Sequence, residues 1–183
     1  AATVAQSYVT TGRDPHDKRE TLRHLLRDAK DLNNAIIFCN RKRDVAMLTR
    51  SLRRHGFSAC ELHGDMDQPA RMASLDAFRK GETPLLVASD VAARGLDIPE
   101  VSHVFNFDVP YHPDDYVHRV GRTGRAGRHG TAITIVSPAD TKSLASIEKL
   151  IGLTIPCADP EGKPAPAADE TASAEAAAPT GRA

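Results

Sequence analysis

Four arginines recur at every third position between residues 119 and 128, and three glycines lie among them. Because glycine destabilises a helix interior by about 1 kcal/mol relative to alanine, we expect a helix from Pro113 to about Val120 that ends in a loop. Planar guanidiniums on such a loop can bind phosphate oxygens in pairs and can stabilise the charge of a transferring γ-phosphoryl group. A solvated basic loop is the alternative interpretation of the same spacing.

A second segment, residues 87–99, brings a hydroxyl, a guanidinium and a carboxylate together within a few positions. The residues concerned are Ser89, Arg94, Gly95 and Asp97. A hydroxyl and free backbone N–H groups beyond the end of a strand can hold a phosphodiester or a ribose hydroxyl. Taken alone, Ser89 is equally well interpreted as a helix N-cap, and Asp97 as a turn former.

A third segment, residues 63–71, has the pattern of a helix start. Asp67 is suited to the N-cap position and Pro69 to the first turn. Gln68 and Arg71 are three residues apart and would share one face at the helix start, where backbone N–H groups favour anions. Helix capping with a surface salt bridge remains the structural alternative.

Short apolar runs alternate with amphipathic stretches along the chain, which is typical of βα units around a parallel sheet. The sequence predicts strands at residues 4–10, 35–39, 58–62, 84–88, 103–107 and 131–136. It predicts helices around residues 22–29 and 45–52, and at 67–81, 113–120 and 143–151. We therefore expect a doubly wound α/β fold with helices on both faces of the sheet, in which function gathers beyond the carboxyl ends of the strands.

The composition changes at Gly152, which divides the chain into two parts. Residues 1–151 carry 22 basic and 19 acidic side chains, a net charge of +3, and are predicted to form one domain. Residues 152–183 are acidic, rich in alanine and proline and free of aromatic residues, so we predict a disordered tail. A solubilising linker is the simplest role for such a tail, ahead of a docking peptide.

The bulk properties narrow the class of protein. The formal net charge is zero, so nucleic-acid binding would have to come from local clusters of charge. Three cysteines without metal-ligand spacing are read as reduced thiols. No apolar run approaches the roughly 18 residues that span a bilayer, and no signal peptide is apparent. We expect a cytoplasmic protein that does not associate with membranes.

The three segments occur in the order and spacing of the motifs in the C-terminal RecA-like domain of bacterial-type DEAD-box RNA helicases, which the chain resembles from about residue 4 to residue 151. AIIFCNRKR resembles motif IV, HGDMDQPAR the Gln-x-x-Arg motif, VASDVAARGLDIP motif V and YVHRVGRTGRAG motif VI. His118 favours this family over the DEAH helicases, which usually have glutamine there. The resemblance implies a RecA-like fold.

The resemblance also implies roles for individual residues. It makes Arg122 and Arg125 arginine fingers for the γ-phosphate of ATP, and it brings Gly95 and Asp97 near the ribose. His118 and Arg119 would couple two domains, with Phe38 packed beneath the arginine loop. The residues implied to contact the RNA sugar-phosphate backbone, without sequence preference, are Asn40, Arg43, Arg71, Ser89 and Arg94.

The chain departs from the family pattern at two positions. Arg41 stands where the family usually has threonine, a departure within motif IV, which also contains Asn40 and Arg43. Ser89 stands where threonine is common, and it keeps the hydroxyl on which the implied contact depends.

The sequence contains neither a GxxxxGK[ST] loop nor a DEAD carboxylate pair. ATP with Mg²⁺ would therefore be bound mainly by an N-terminal RecA-like domain of the same protein, and this chain alone should not hydrolyse ATP. We predict one half of a monomeric ATP-dependent RNA helicase that unwinds short duplexes and has no metal ligands of its own. The alternative is a stand-alone RecA-like module that binds RNA or protein without ATPase activity.

Overall fold

A computed structural model describes residues 3–158 and shows one six-stranded sheet in which every pairing is parallel. The strand order is β1-β6-β5-β2-β4-β3. The strands are β1 Val4–Thr10, β2 Ala35–Cys39, β3 Ala59–Leu62, β4 Leu85–Ser89, β5 His103–Asn106 and β6 Gly130–Val136. All six were predicted, each to within one residue at either end.

Among residues 3–158, five α-helices connect the strands and a sixth follows β6. They are α1 Pro15–Asp28, α2 Lys42–Arg54, α3 Gln68–Arg79, α4 Asp90–Ala93, α5 Pro113–Val120 and α6 Thr141–Ile151. Helix α3 starts as predicted, because Asp67 accepts a hydrogen bond from the N–H of Ala70 at 2.9 Å. Asp14 caps α1 in the same way, accepting from the N–H of His16 at 2.9 Å, and this cap was not predicted. Capping side chains and early prolines thus fix where these helices begin.

The helices cover both faces of the sheet, as the sequence predicted. Leucines of α1 and α2 pack on one face, and α3, α4, α5 and α6 pack on the other. Every residue of β2, the strand between β5 and β4, is buried, which explains its unbroken apolar run. Full burial of one such side chain, for example Ile36, contributes about 1.5–3 kcal/mol.

The chain beyond α6 corrects the expectation that disorder begins at Gly152. The N–H of Tyr8 donates to the carbonyl of Pro156 at 3.0 Å, and the N–H of Ala158 donates to the carbonyl of Tyr8 at 2.7 Å. Ile155 and Ala158 are buried. The apolar Ile155 and the unpaired edge of β1 supply burial and hydrogen bonds that composition alone did not reveal. Residues 159–183, the rest of the predicted tail, lie outside the described residues.

Among residues 3–158 no helix has both the length and the apolar character needed to cross a bilayer.

Candidate functional site

Strands β2, β4 and β5 end side by side at the carboxyl edge of the sheet. In register, Cys39 lies opposite Ser89 and Phe38 opposite Asn106. The residues that follow these strands therefore meet in space, although they are far apart in sequence. Asn40, Asp90 and Asp108 are the polar residues brought together in this way.

Arg119, near the end of α5, joins these three loops. Its Nε and Nη2 donate to the two carboxylate oxygens of Asp90, each at 2.7 Å. Its Nη2 also donates to Asn40 Oδ1 at 2.7 Å, and its Nη1 donates to the carbonyl of Asp108 at 2.8 Å. The guanidinium lies 5.3 Å from the ring centre of Phe38. Because Arg119 is only 1% exposed, its bonds are internal.

His118, the neighbour of Arg119, is exposed and lines a small cleft with Arg94, Asp115 and Arg122. The pair predicted to couple two domains is therefore split between a surface residue and a buried one. Phe38 lies beneath Arg119, which belongs to α5 just before the loop under which the resemblance places Phe38.

Arg122 is the first predicted arginine finger, and it points back toward the segment that follows β4. Its Nη2 donates to the carbonyl of Ala93 at 3.2 Å and its Nη1 to that of Leu96 at 3.5 Å. Burial and then the nearby charge of Arg125 lower the pKa of Arg122, while Asp97 opposes the shift. Two guanidiniums are thus held close enough to repel each other, an arrangement that an anion would relieve.

Arg125, the second predicted finger, lies in an exposed turn. Its Nε donates to the carbonyl of Gly121 at 2.8 Å, and its backbone N–H donates to Glu100 Oε1 at 2.9 Å. Gly124 and Gly127 both adopt positive φ, as does Ala126 at φ 54°. Two of the three glycines of the arginine run therefore serve this turn, which supports a loop here in place of a continued helix.

Thr123 and Gly130 also fix the position of the arginine loop, residues 121–128. The Thr123 hydroxyl donates to the carbonyl of Val101, and an added Cβ at Gly130 would lie 2.2 Å from Thr123 Oγ1. A side chain at position 130 would therefore displace the loop that carries both fingers.

Four candidate residues lie at the end of β4 or in the segment that follows it, and they differ in exposure and in bonding partners. Ser89 is buried, and its Oγ accepts the N–H of Ala92 at 3.4 Å, so its interpretation as an N-cap is confirmed. Arg94 is exposed, and its Nη2 donates to Asp115 at 2.7 Å. Gly95 has φ +72°, which favours glycine, and Asp97 is exposed.

The three remaining candidates for RNA contact differ in how available they are. The side-chain amide of Asn40 is committed inside the protein, because its Nδ2 donates to the carbonyl of Val109 at 2.9 Å while its Oδ1 accepts from Arg119. Arg43 is exposed in the first turn of α2. Arg71 is half-buried, and its Nε lies 3.5 Å from the carbonyl of His63.

Reasoning from the sequence missed the acids that hold the arginines. Asp90 pairs with Arg119, Asp115 pairs with Arg94, and Glu100 accepts from the backbone of Arg125. One signal was available: Asp90 and Asp108 each lie within two residues of the end of a buried strand. Which arginine each acid meets depends on strand order, which the sequence did not reveal.

The parallel sheet, its two helical layers and the arginine-rich carboxyl edge define a RecA-like α/β domain. A family model described as helicase conserved C-terminal domain matches residues 17–127. The Escherichia coli DEAD-box protein SrmB, solved in complex with the regulator of ribonuclease activity A, superposes with a TM-score of 0.81 at 39% identity. That match covers 91% of this chain and 98% of the SrmB chain. The chain therefore belongs to the helicase C-terminal domain family, as the C-terminal domain of a DEAD-box RNA helicase.

Two further relatives extend the comparison. The DEAD-box ATP-dependent RNA helicase CshA of Bacillus subtilis is 48% identical over 132 residues, which are 72% of this chain and 26% of CshA. Saccharomyces cerevisiae Dbp5, solved bound to RNA and ADP BeF3, has a TM-score of 0.77 at 32% identity, covering 85% of this chain and 42% of the Dbp5 chain. This chain thus spans about a quarter of the length of CshA.

Proposed function

We propose that this chain is the second RecA-like half of an ATP-dependent RNA helicase, and that it supplies arginine fingers and one wall of the RNA-binding groove. The observation that carries the proposal is the convergence of the arginine loop on the segment after β4. Arg122 bonds the carbonyls of Ala93 and Leu96, so the finger loop and the exposed Arg94 and Asp97 form one surface.

ATP would lie between this surface and a P-loop domain. Arg122 and Arg125 would neutralise charge on the γ-phosphate, and an anion between them would relieve the repulsion that lowers the pKa of Arg122. Their present acceptors are backbone carbonyls, which a phosphate would replace with a stronger, charge-assisted partner. Gly95 and the exposed Asp97 would contact the ribose. Mg²⁺ would be held by the P-loop domain.

RNA would run along the starts of α2, α3 and α4. Arg43 and Arg71 would supply positive charge near the starts of α2 and α3, and Arg94 would supply it directly after α4. The Ser89 hydroxyl, at the start of α4, still has its proton to donate after accepting the N–H of Ala92. The relative Dbp5 has been solved with RNA bound, which supports the same substrate class. Asn40 would act indirectly, by holding Arg119, since its side-chain amide is already bonded within the protein.

The Arg119 cluster would link the two functions. It ties α5, which leads into the arginine loop, to the loops that follow β2 and β4. A shift of the fingers on nucleotide binding would therefore move the RNA-contacting residues with them. His118, exposed beside this cluster, would touch the partner domain. A cytoplasmic location and a monomeric state remain predictions.

The test is RNA-stimulated ATPase activity of this chain joined to the P-loop domain of a DEAD-box relative. We expect Arg122→Ala and Arg125→Ala each to lower the turnover number by about a thousandfold, the lower end of the range for arginine fingers. Arg128→Ala, in the same loop but opposite Glu100, is the matched control and should stay near wild type.

An unchanged turnover number in both finger variants would overturn the assignment. A fused protein that binds RNA but never hydrolyses ATP would favour the alternative, a stand-alone RNA-binding or protein-binding module. The chain without a partner domain should show no ATPase activity in the same assay.

A further inference from the structure

A cleft of about 300 Å³ opens where α1 and α2 begin, next to the loop that follows β5. It lies on the α1–α2 face of the sheet, away from the arginine fingers, which extend from α5 on the other face. None of the functions proposed above uses this cleft. Its chemistry comes from a cluster of basic side chains and one exposed aromatic ring.

Four basic residues line the cleft against two acids. Lys18 is paired with Asp108, and its ammonium also lies 4.5 Å from the ring centre of Phe107. The basic residues that remain are Arg13, Arg19 and Arg41, and the remaining acid is Asp44. The cleft is therefore positively charged although the whole chain is neutral, which favours an anionic ligand.

Tyr111 gives the cleft a flat aromatic wall. The side chain is 63% exposed, which is high for a large aromatic residue, and its hydroxyl accepts a hydrogen bond from Arg41 Nε at 3.3 Å. A tyrosine ring held beside a guanidinium offers two planar surfaces on which a nucleobase can stack. An acidic peptide would use the positive charge but would leave this aromatic surface without a partner.

The cleft also adjoins the residues proposed to form the RNA-binding groove. Asn40 lines it, and the same residue is bonded to Arg119. Arg41 lines it as well and is the N-cap residue of α2, whose first turn carries Arg43. A strand of RNA passing the start of α2 would therefore reach the cleft within one nucleotide or two.

We propose that this cleft binds one unpaired nucleotide of the RNA beyond the stretch held in the main groove. The base stacks against Tyr111 and Arg41, and Arg13 and Arg19 hold the adjoining phosphate. The inference rests on the proposed function and adds a subsite to it, one that favours RNA with a single-stranded extension.

The experiment measures equilibrium RNA binding by fluorescence anisotropy, with a non-hydrolysable ATP analogue and the fused protein described above. Oligouridylates are lengthened one nucleotide at a time from either end. Wild type should gain about five- to tenfold in affinity at one particular added nucleotide, a modest value for base stacking on an exposed ring. Tyr111→Ala and Arg41→Ala should lose that step and keep their affinity for the shorter oligonucleotide.

Two matched variants separate stacking from charge and from general effects. Tyr111→Phe keeps the ring and should keep the step. Arg54→Ala removes an arginine from the other end of α2, about 18 Å along the helix axis, and should also keep it. A 4-thiouridine at the added position should cross-link to residues 107–111 in wild type.

A length step that persists undiminished in Tyr111→Ala and Arg41→Ala would overturn the proposal. The same holds if a labelled oligoglutamate binds and Arg41→Ala abolishes that binding while the RNA step is unaffected, because the cleft would then belong to an acidic peptide. Failure to bind any oligonucleotide would instead overturn the proposed function, and this inference would fall with it.

Discussion

Side chains join the loops at both the carboxyl and the amino edge of the sheet, but the chemistry of these contacts differs between the two edges. At the carboxyl edge the loops are joined by charged groups, with Arg119 bonded to Asp90 and Lys18 paired with Asp108. At the amino edge, neutral groups join the loops that precede β2 and β5. There the N–H of Ser102 donates to Asn34 Oδ1 at 3.0 Å, and the Ser102 hydroxyl donates to the carbonyl of Asn34 at 2.8 Å.

The contrast matters because a buried ion pair that joins two loops contributes little net free energy to stability. Desolvating Arg119 and Asp90 costs several kcal/mol per ion, and their attraction and hydrogen bonds do little more than recover it. Asn34 and Ser102 achieve a connection between loops without that cost. The buried Arg119–Asp90 pair therefore indicates a requirement other than stability, consistent with the arginine loop that follows α5.

The largest expected effect comes from breaking the charged connection on one side. Arg119→Ala would leave Asp90 partly buried without its partner, so we expect the free energy of unfolding to fall by about 3–5 kcal/mol. Urea denaturation of the chain measures this change. The double variant Asp90→Asn with Arg119→Met is the control, and it should recover much of the loss because no unpaired charge remains. A loss below about 1 kcal/mol for Arg119→Ala would contradict the comparison.

Most of the fold could be predicted from the sequence because it depends on local signals. The apolar run of Ala35–Cys39 and the cap at Asp67 act over a few residues, and both were confirmed. The interpretation of Ser89 as an N-cap was also confirmed. The burial of Ile155 beside β1 was missed, because it depends on which strand lies at the sheet edge.

The candidate site was predictable only in part. The positions of the arginines follow from their spacing, but their partners follow from strand order. Arg119 meets Asp90, 29 residues earlier in the chain, because the fold brings α5 next to the residue that follows β4. Arg119 and Arg122 are three residues apart, yet Arg119 is buried and Arg122 is half-buried. No local pattern distinguishes the two.

The next largest effect is expected for the neutral contact between Asn34 and Ser102 at the amino edge. Asn34→Ala removes the acceptor for the Ser102 N–H and the donor to the carbonyl of Glu100, both partly buried. Leaving such groups unsatisfied should lower the free energy of unfolding by about 1–3 kcal/mol, less than the loss at the charged edge. Asn33→Ala is the matched control, since its backbone N–H but not its side chain bonds Ser102, and it should stay near wild type. A larger loss for Asn34→Ala than for Arg119→Ala would reverse the comparison.

Measuring stability as a function of pH tests whether His103, at the amino end of β5, must stay neutral. Burial lowers the pKa of His103, whose Nδ1 lies 2.9 Å from Ser102 Oγ. The unfolded chain therefore takes up this proton first, and the contribution of His103 to stability is lost as the pH falls below about 6.5 toward the lower pKa of the folded state. His103→Gln should make the free energy of unfolding less dependent on pH in this window. Identical pH profiles for wild type and variant would remove the argument.

The smallest expected effect gives the sharpest contrast within the arginine run. Arg125 is exposed and bonds only the carbonyl of Gly121 among the described residues through its side chain, so Arg125→Ala should change the free energy of unfolding by no more than about 0.5 kcal/mol. The same urea experiment measures it beside Arg119→Ala. Because both residues are arginines six positions apart, a difference of several kcal/mol between them would separate structural from available guanidiniums. A loss of 2 kcal/mol or more for Arg125→Ala would show that the finger loop is itself part of the fold, and Arg125 would then not be free to exchange its carbonyl partner for a phosphate.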